Sequence, residues 1–340
     1  MIKINPLFPV YIENNTLRIG NLPITGKYIE NVDPIIIEIV RDVIEQPRTR
    51  EYLLNKLISS DISNADSKQI IDDLVSTEIF FEKEKINSFD RQELFFSMFD
   101  LQKAPQFVKL LSSSRIMVIG VGAIGCSVSS ILCRSGINNF ILVDNDIVEE
   151  SNLRRQSLFF IDDIGHSKIS SAKKRLMKIR NDLNIQEVNI DILKLSSLKK
   201  YNPDIVICTA DSPARLIREH VNKICVREEI PLIFAGFSEY MGIVGPLILP
   251  GTSPCWECIQ EQLGELPEDI NSDRVTPSFG GLCEVVGAFT ATEVIKYLTN
   301  FSNVEIIGKE LMINLITLEN EITSWKQIPN CKICQRRNMK

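Results

Sequence analysis

The apolar positions of this chain change rhythm near residue 85 and again near residue 115. Before the first change, short runs of β-type residues stand at 9–12 and 17–19, with a third near 28–29. Asp33-Pro34 then reads as a helix start, with Asp as N-cap and Pro at the first helical position, where its missing N–H is no loss. Ile36, Ile37, Ile39, Val40 and Ile44 follow at helical spacing. Two more helices are predicted over 50–57 and 66–76. Strands followed by three helices make a small, winged-helix-like α+β module over residues 1–85, with nothing catalytic in its pattern. The charged run FEKEKIN at 81–87 marks its boundary.

From residue 115 the pattern becomes βαβ. Residues 115–119 are a strand, 123–135 a helix that closes on Gly136, and 139–143 the next strand. Val- and Ile-rich runs recur at 204–208 and 231–235 between helical patterns, and a helix at 287–298 and a strand at 311–318 end the series. Strands that are apolar on both faces belong to a parallel sheet covered on both sides. The expected architecture is a Rossmann-like, mostly parallel α/β domain over residues 86–340, preceded by the small module.

Composition narrows the class. With 340 residues, 44% hydrophobic and 24% charged, the chain has the make-up of a soluble protein of about two domains. Its net charge of −6, from 38 basic and 44 acidic residues, argues against nucleic acid or an anionic membrane as a broad partner. There is no apolar run of the roughly 20 residues a membrane span needs. The N-terminus has no basic segment followed by a long apolar one, so a secretory signal is not expected. Nine cysteines, four of them in two close pairs, suit a reducing cytoplasm and a metal site better than a disulfide framework. A cytoplasmic location is the expectation.

Gly120-Val121-Gly122-Ala123-Ile124-Gly125 is a G-x-G-x-x-G between a strand and a helix. The first glycine makes the tight turn, the second lets backbone approach a phosphate or ribose, and the third packs helix on sheet. The helix N-terminus adds N–H donors and partial positive charge. Asp144 ends the next strand about 20 residues on, where a carboxylate can reach ribose hydroxyls. Up to this point a nicotinamide dehydrogenase fits equally well, and a tight turn without ligand is the less favoured alternative.

The following segment separates the readings. It runs Asp144-Asn145-Asp146, then Ser151-Asn152-Leu153-Arg154-Arg155-Gln156, then Asp163-Ile164-Gly165-His166-Ser167-Lys168, and later Thr209-Ala210-Asp211 after a buried strand. Hydride transfer has no need of such a cationic set. Phosphoryl chemistry does, because charge gathers on phosphate oxygens in the transition state. Asp211 at a strand's C-terminal end is placed to hold Mg²⁺. Taken singly, Arg154 and Arg155 read equally as a solvated face, Lys168 as one more surface lysine, and Asp211 as a helix cap.

In combination these motifs resemble the ubiquitin-activating-enzyme superfamily, which includes the bacterial sulfur-carrier adenylyltransferases, over about residues 88–336. The resemblance implies that Gly120, Gly122, Ala123 and Gly125 cradle a nucleotide and that Asp144 binds its ribose. It further implies that Asn152 and Arg155 bind phosphates, that Asp146 and Gln156 line the site, and that Lys168 stabilises the attacked α-phosphate. Asp211 would carry Mg²⁺. Asp90-Arg91-Gln92 resembles an upstream arginine motif that reaches across a dimer to the partner's γ-phosphate, so Arg91 implies a homodimer.

Cys255-Trp256-Glu257-Cys258 and Cys331-Lys332-Ile333-Cys334 form two C-x-x-C knuckles. Two such pairs close a tetrahedral zinc shell with no open position, so the metal is structural and staples distant segments. A redox role is the other reading, but neither pair is expected to open a helix after a strand. Cys126, Cys133, Cys208 and Cys225 lie in apolar segments and read as core. Cys283 beside Glu284 is the one candidate nucleophile, though its acidic neighbour disfavours a thiolate, and the core reading is preferred. The two histidines, His166 and His220, suggest no catalytic arrangement.

Stand-alone sulfur-carrier enzymes usually lack a module like 1–85. Fused ahead of this domain, it resembles the peptide clamp of ribosomal-peptide-modifying enzymes, and in length and order the chain is most similar to the microcin C peptide synthetases. Thr209-Ala210-Asp211-Ser212-Pro213, Phe234-Ala235-Gly236-Phe237, Gly245-Pro246-Leu247 and Pro250-Gly251 fit that branch. The resemblance implies ATP or CTP with Mg²⁺ as co-substrate, structural zinc, and a short ribosomal peptide as substrate. The peptide would be activated at its C-terminal carboxylate and joined to a nucleoside monophosphate through a succinimide. The polar segment 263–281 reads as a loop over the site or a plain connector. The alternatives are a sulfur-carrier adenylyltransferase acting on a Gly-Gly terminus, a leader-binding partner of a cyclodehydratase, and the dehydrogenase.

Overall fold

Asp33 accepts the Ile35 N–H at 3.0 Å and, with Pro34 in the first turn, opens α1 (Pro34–Glu45). Thr49 and Ser63 cap α2 (Arg50–Ile58) and α3 (Asn64–Ser76) through their hydroxyls in the same way. A computed structural model describes residues 1–21, 26–77, 79–82, 91–210, 213–264 and 277–334. These fall into two compact units, Met1–Gln102 and Lys103–Lys340.

In the first unit β1 (Lys3–Ile4) precedes an antiparallel sheet of β2 (Val10–Glu13), β3 (Thr16–Ile19) and β4 (Lys27–Ile29), in that spatial order. After the helices, β5 (Phe80–Phe81) returns to pair antiparallel with β1. The core joins Leu17 and Ile19 to Ile37, Ile39, Val40, Leu53, Leu57 and Ile71. The apolar stripe of α1 turns inward through Val43 rather than Ile44, which is 51% exposed. α4 (Arg91–Ser97) follows, so this unit extends past residue 85.

The second unit begins with α5 (Ala104–Ser113) and continues β6 (Arg115–Ile119), α6 (Ala123–Arg134), β7 (Asn139–Val143), α7 (Lys168–Ile179) and β8 (Asn184–Val188). Then come β9 (Ile205–Cys208), α8 (Ala214–Glu228), β10 (Leu232–Ser238), β11 (Met241–Ile248), α9 (Trp256–Leu263), α10 (Gly280–Thr299), β12 (Lys309–Asn314) and β13 (Asn320–Ser324). The eight strands form one sheet in the order β13-β12-β11-β10-β9-β6-β7-β8. From β10 to β8 every neighbour is parallel, whereas β11, β12 and β13 extend the sheet antiparallel. This is the expected α/β fold around a mostly parallel sheet. The chain leaves β6 toward β7 and later returns to β9 on the other side, so β6 and β9 flank the point where ligands bind in such sheets.

Three strands of this sheet, β8, β11 and β13, were not expected from the sequence, and neither was the β1–β5 pair of the first unit. β11 holds Gly245-Pro246, and proline argues against an interior strand because it cannot donate to the ladder. The structure puts this dipeptide where the β10–β11 register shifts, between the Ile233–Leu247 and Ala235–Val244 pairs. Two residues of β11 there stand against one of β10, and a bulge of this kind tolerates Pro246. α10 is longer than the expected 287–298. Gly287 lies inside it, where the helix crosses α6, and a Cβ there would come within 2.4 Å of the Ser127 hydroxyl oxygen.

Candidate active site and four-cysteine cluster

The G-x-G-x-x-G turn leaves β6 at Ile119. Gly120 has φ +89°, and a Cβ on it would sit 2.6 Å from the Ala210 nitrogen beyond β9. The Gly120 N–H donates to the Val143 carbonyl at 2.9 Å. A Cβ on Gly125 would meet the Gly120 carbonyl oxygen at 2.1 Å, and that oxygen also accepts the Thr209 hydroxyl at 2.6 Å. Gly122, the N-cap of α6, faces open space, with nothing within 4 Å of a Cβ there. The loop is thus closed on its protein side and open where a phosphate would approach the first N–H groups of α6.

Asp144, buried, organises the floor. One carboxylate oxygen accepts the Val121 N–H at 2.7 Å and the other accepts the Asp146 N–H at 2.8 Å. Each oxygen keeps further lone-pair capacity for another donor. Asp146 binds Lys168 twice: its carbonyl accepts the Lys168 N–H at 3.0 Å, and its carboxylate pairs with Nζ at 2.8 Å. The segments 146–148 and 165–168 run side by side, with the Val148 N–H donating to the His166 carbonyl and an Ile147–Ser167 bridge. This ladder sets Lys168, 8% exposed, at the start of α7. Cys126 lies buried in α6 where the charges of Lys168, Asp144 and Glu284 all act on it; burial pushes its thiol up to about 12. It therefore stays a neutral core residue.

Asn152, Arg155 and Gln156 come together on the 3-10 turn Glu150–Arg154 and just after it. Asn152 is buried and accepts the Glu149 N–H at 3.1 Å. Arg155, half-buried, donates to the Ser151 carbonyl at 2.8 Å. Gln156 is buried with its side-chain oxygen lacking a donor among the described residues. The start of α10 abuts this turn: a Cβ on Gly280 would lie 3.5 Å from the Arg155 Cα. Sequence reasoning missed this contact, and also the Ser127 hydroxyl that donates to Glu284 at 2.6 Å between α6 and α10. Both join residues far apart in the chain. Arg91 is the first residue of α4 and is exposed in the first unit. Asp211, Asp90 and residues 265–276 lie outside the described residues.

Cys255, Cys258, Cys331 and Cys334 are all buried, with their sulfur atoms within 4.8 Å of one another. The Cys255–Cys258, Cys255–Cys331 and Cys258–Cys334 sulfur pairs stand 3.9, 3.7 and 3.5 Å apart. A tetrahedron of Zn–S bonds of about 2.3 Å has edges of about 3.8 Å, so the cluster is compatible with structural zinc. Hydrogen bonding to its Cys258 neighbour, then burial, raises the Cys255 thiol, while the same contact lowers Cys258 to about 4. Cys255 opens a helix, as the N-cap of α9. Yet α9 does not follow directly on a strand, and the second pair completes a four-sulfur shell. Cys283 is fully buried in α10.

This arrangement defines a doubly wound nucleotide-binding domain whose far end is tied by a four-cysteine cluster. The ThiF family model matches residues 90–334, and the chain belongs to that family. The molybdopterin-synthase adenylyltransferase of Escherichia coli K12 is 28% identical over 227 residues, which cover 66% of this chain and 88% of that protein. The crystal structure of E. coli MccB with ATP superposes with a TM-score of 0.78 at 26% identity, covering 98% of this chain and 99% of that one. The microcin C7 biosynthetic enzyme MccB in complex with N-formylated MccA gives 0.79 at 27% identity over the same shares. The chain is a nucleotidyltransferase of this family. No helix among the described residues is long and apolar enough to cross a membrane.

Proposed function

We propose that this enzyme activates the C-terminal carboxylate of a short ribosomal peptide and joins the peptide to a nucleoside monophosphate. The observation that carries the reading is the likeness to MccB over 98% of the chain, first unit included, with N-formylated MccA bound in that relative. In the first step a carboxylate oxygen attacks the α-phosphorus of ATP or CTP and pyrophosphate leaves. In the second, the side-chain nitrogen of a terminal asparagine displaces the nucleotide to close a succinimide. The imide nitrogen then attacks a second nucleotide's α-phosphorus, again releasing pyrophosphate and forming a P–N bond.

In this reading the α6 N-terminus and Gly122 receive phosphates, Asp144 the ribose, and Asn152 and Arg155 the outer phosphates. Asp146 and Gln156 complete the wall. Lys168 turns from Asp146 to the α-phosphate, where its charge opposes the build-up in the transition state. Mg²⁺ on Asp211 would offset the phosphate charge, and Arg91 would serve a partner copy in a homodimer. The sequence division at residues 85 and 86 gives the first module the task of holding the peptide. The first unit offers a cavity of about 580 Å³ for it, lined by Leu17, Ile29, Val32, Ile36, Ile70 and Leu74 with Asp33 and Asp73 at the rim, next to the edge strand β4.

The test is mass spectrometry of the protein incubated with Mg²⁺, each of the four NTPs and short peptides encoded beside its gene. A peptide gaining a nucleoside monophosphate, with pyrophosphate released, is expected and names the base. A second reading, adenylylation of a sulfur-carrier protein ending in Gly-Gly, is favoured by the E. coli K12 relative. It leaves the first unit without a task, since the family model begins at residue 90. Activation of such a protein, with every neighbouring peptide inert, would establish it.

A further inference from the structure

Arg218 of α8 has no place in the sequence reading, yet its guanidinium is built into the rim of the sheet. Its carbon lies 5.4 Å from the Phe234 ring centre and 4.8 Å from that of Trp256, and these two rings lie 5.4 Å apart. The guanidinium carbon lies over both rings, which hold the group by cation–π attraction, and its five N–H groups give it more donors than any one partner uses. One terminal nitrogen reaches β10, where a Cβ on Gly236 would come within 2.8 Å of it.

Gly236 stands on the ligand side of the sheet. β10 and β9 run parallel, with Phe234 opposite Cys208 as their last pair, so Gly236 lies past the end of β9. The same end of β9 leads into Ala210, which packs on Gly120 of the phosphate loop. Neighbouring strands are about 4.8 Å apart, and only β9 stands between β10 and β6, so Gly236 is about two strand spacings from the loop that follows β6. On the far side Glu310 is half-buried and accepts the Trp325 indole N–H at 2.9 Å. Burial pushes the Glu310 carboxyl up, and the Trp325 hydrogen bond and then the Arg218 charge pull it part of the way back.

A carboxylate brought to a triphosphate meets like charge, and a cation at the rim removes part of that repulsion. We propose that Arg218 is a substrate-binding residue whose guanidinium edge, beside Gly236, donates to the terminal carboxylate of the chain being adenylylated. The inference rests on the reading of this enzyme as one that adenylylates a C-terminal carboxylate, whether of a peptide or of a sulfur-carrier protein. Charge and planar shape together set the preference: a free acid is held, and a C-terminal amide is not.

The protein's two tryptophans, Trp256 and Trp325, both belong to this cluster, so their emission reports on it. The full-length enzyme is titrated, with MgATP present, with four synthetic heptapeptides: one ending in asparagine and one in Gly-Gly, each as free acid and as C-terminal amide. A saturable change in emission is expected with at least one acid, and its amide should bind about tenfold more weakly or worse. Arg218→Gln should raise the Kd and KM of that acid about tenfold or more, with kcat, MgATP affinity, zinc content and melting temperature close to wild type. Gly236→Ala should do the same, because its methyl group displaces the flexible end of Arg218 and leaves the charge in place.

If acid and amide bind alike, if neither acid alters the emission, or if the variants bind as wild type, the proposal is overturned. Variants that lose zinc or melt early with an unchanged KM would make Arg218 a structural brace, which also overturns it. Turnover of the Gly-Gly probe alone, sensitive to Arg218, would remove the peptide reading and keep Arg218. Turnover of the asparagine probe with a wild-type KM in Arg218→Gln would do the reverse.

Discussion

Gly125 and Gly122 share one loop but face opposite surroundings, and adding a methyl group to each should separate fold from ligand binding. A Cβ on Gly125 would lie 2.1 Å from the Gly120 carbonyl oxygen. An ordinary C···O contact is about 3.3 Å, so backbone on one side or the other must move by roughly 1 Å. Overpacking of that kind costs about 1–3 kcal/mol. The Gly120 oxygen also accepts the buried Thr209 hydroxyl at 2.6 Å, and losing that bond adds about 1–3 kcal/mol. Replacing a helical glycine by alanine returns about 0.5–1 kcal/mol. The net is about 3 kcal/mol, or roughly 6–12 °C in melting temperature for a unit of this size. Gly122→Ala meets nothing within 4 Å and should cost at most about 1 kcal/mol as a changed N-cap. Its methyl group instead occupies the space where phosphates reach α6, and MgATP should bind about tenfold or more weakly. Circular dichroism melts and calorimetric titration with MgATP read both quantities. A Gly125→Ala protein that melts with wild type, or a Gly122→Ala protein that binds MgATP normally, would refute this account of the loop.

Four further outcomes follow from the same geometry. Lys168→Ala should lower turnover about a hundredfold or more, measured as pyrophosphate release, with the melt little changed because Asp146 is well exposed. Cys331→Ser should lose the zinc seen by elemental analysis and lower the melting temperature markedly, while zinc-replete wild type should contain one ion per chain. Cys283→Ser should keep nucleotidyl transfer, and a thioester trapped on wild type would contradict that. Asp163→Asn should cost about 3 kcal/mol in urea unfolding, because it leaves Arg175 without the carboxylate it binds at 2.7 and 2.9 Å. Burial pushes the Asp163 carboxyl up, but Arg175 and the Phe160 N–H outweigh it and hold it below its ordinary value. The stabilisation is therefore fully present above the unfolded carboxylate range, near pH 4, and the gap to Asp163→Asn should shrink as pH falls through the folded value.

How far the sequence could be read depended on how local each cause was. The cap at Asp33, the turn at Gly120 and the paired cysteines each announce themselves within a few residues, because a cap, a positive φ or a C-x-x-C knuckle is a local demand. β11 was hidden because Gly245-Pro246 breaks the strand pattern, and the bulge that accommodates it needs β10 as a partner. The first turns of α10 were hidden for a related reason: Gly280 and Gly281 are poor helix formers, and Gly280 packs against Arg154 and Arg155, far away in the chain. The candidate site shows the same division. Lys168 and Asp146 stood in the sequence as separate charges, and only the 146–148 and 165–168 ladder makes them a pair. The Arg218 cluster is the extreme case. Its parts come from α8, β10, β12 and the first cysteine knuckle, and no window of sequence contains two of the elements that Arg218 touches. The four-cysteine cluster bears on this directly, since Trp256 sits between Cys255 and Cys258 and under the guanidinium. A staple between distant segments thereby also fixes one wall of the rim where the substrate tail would end.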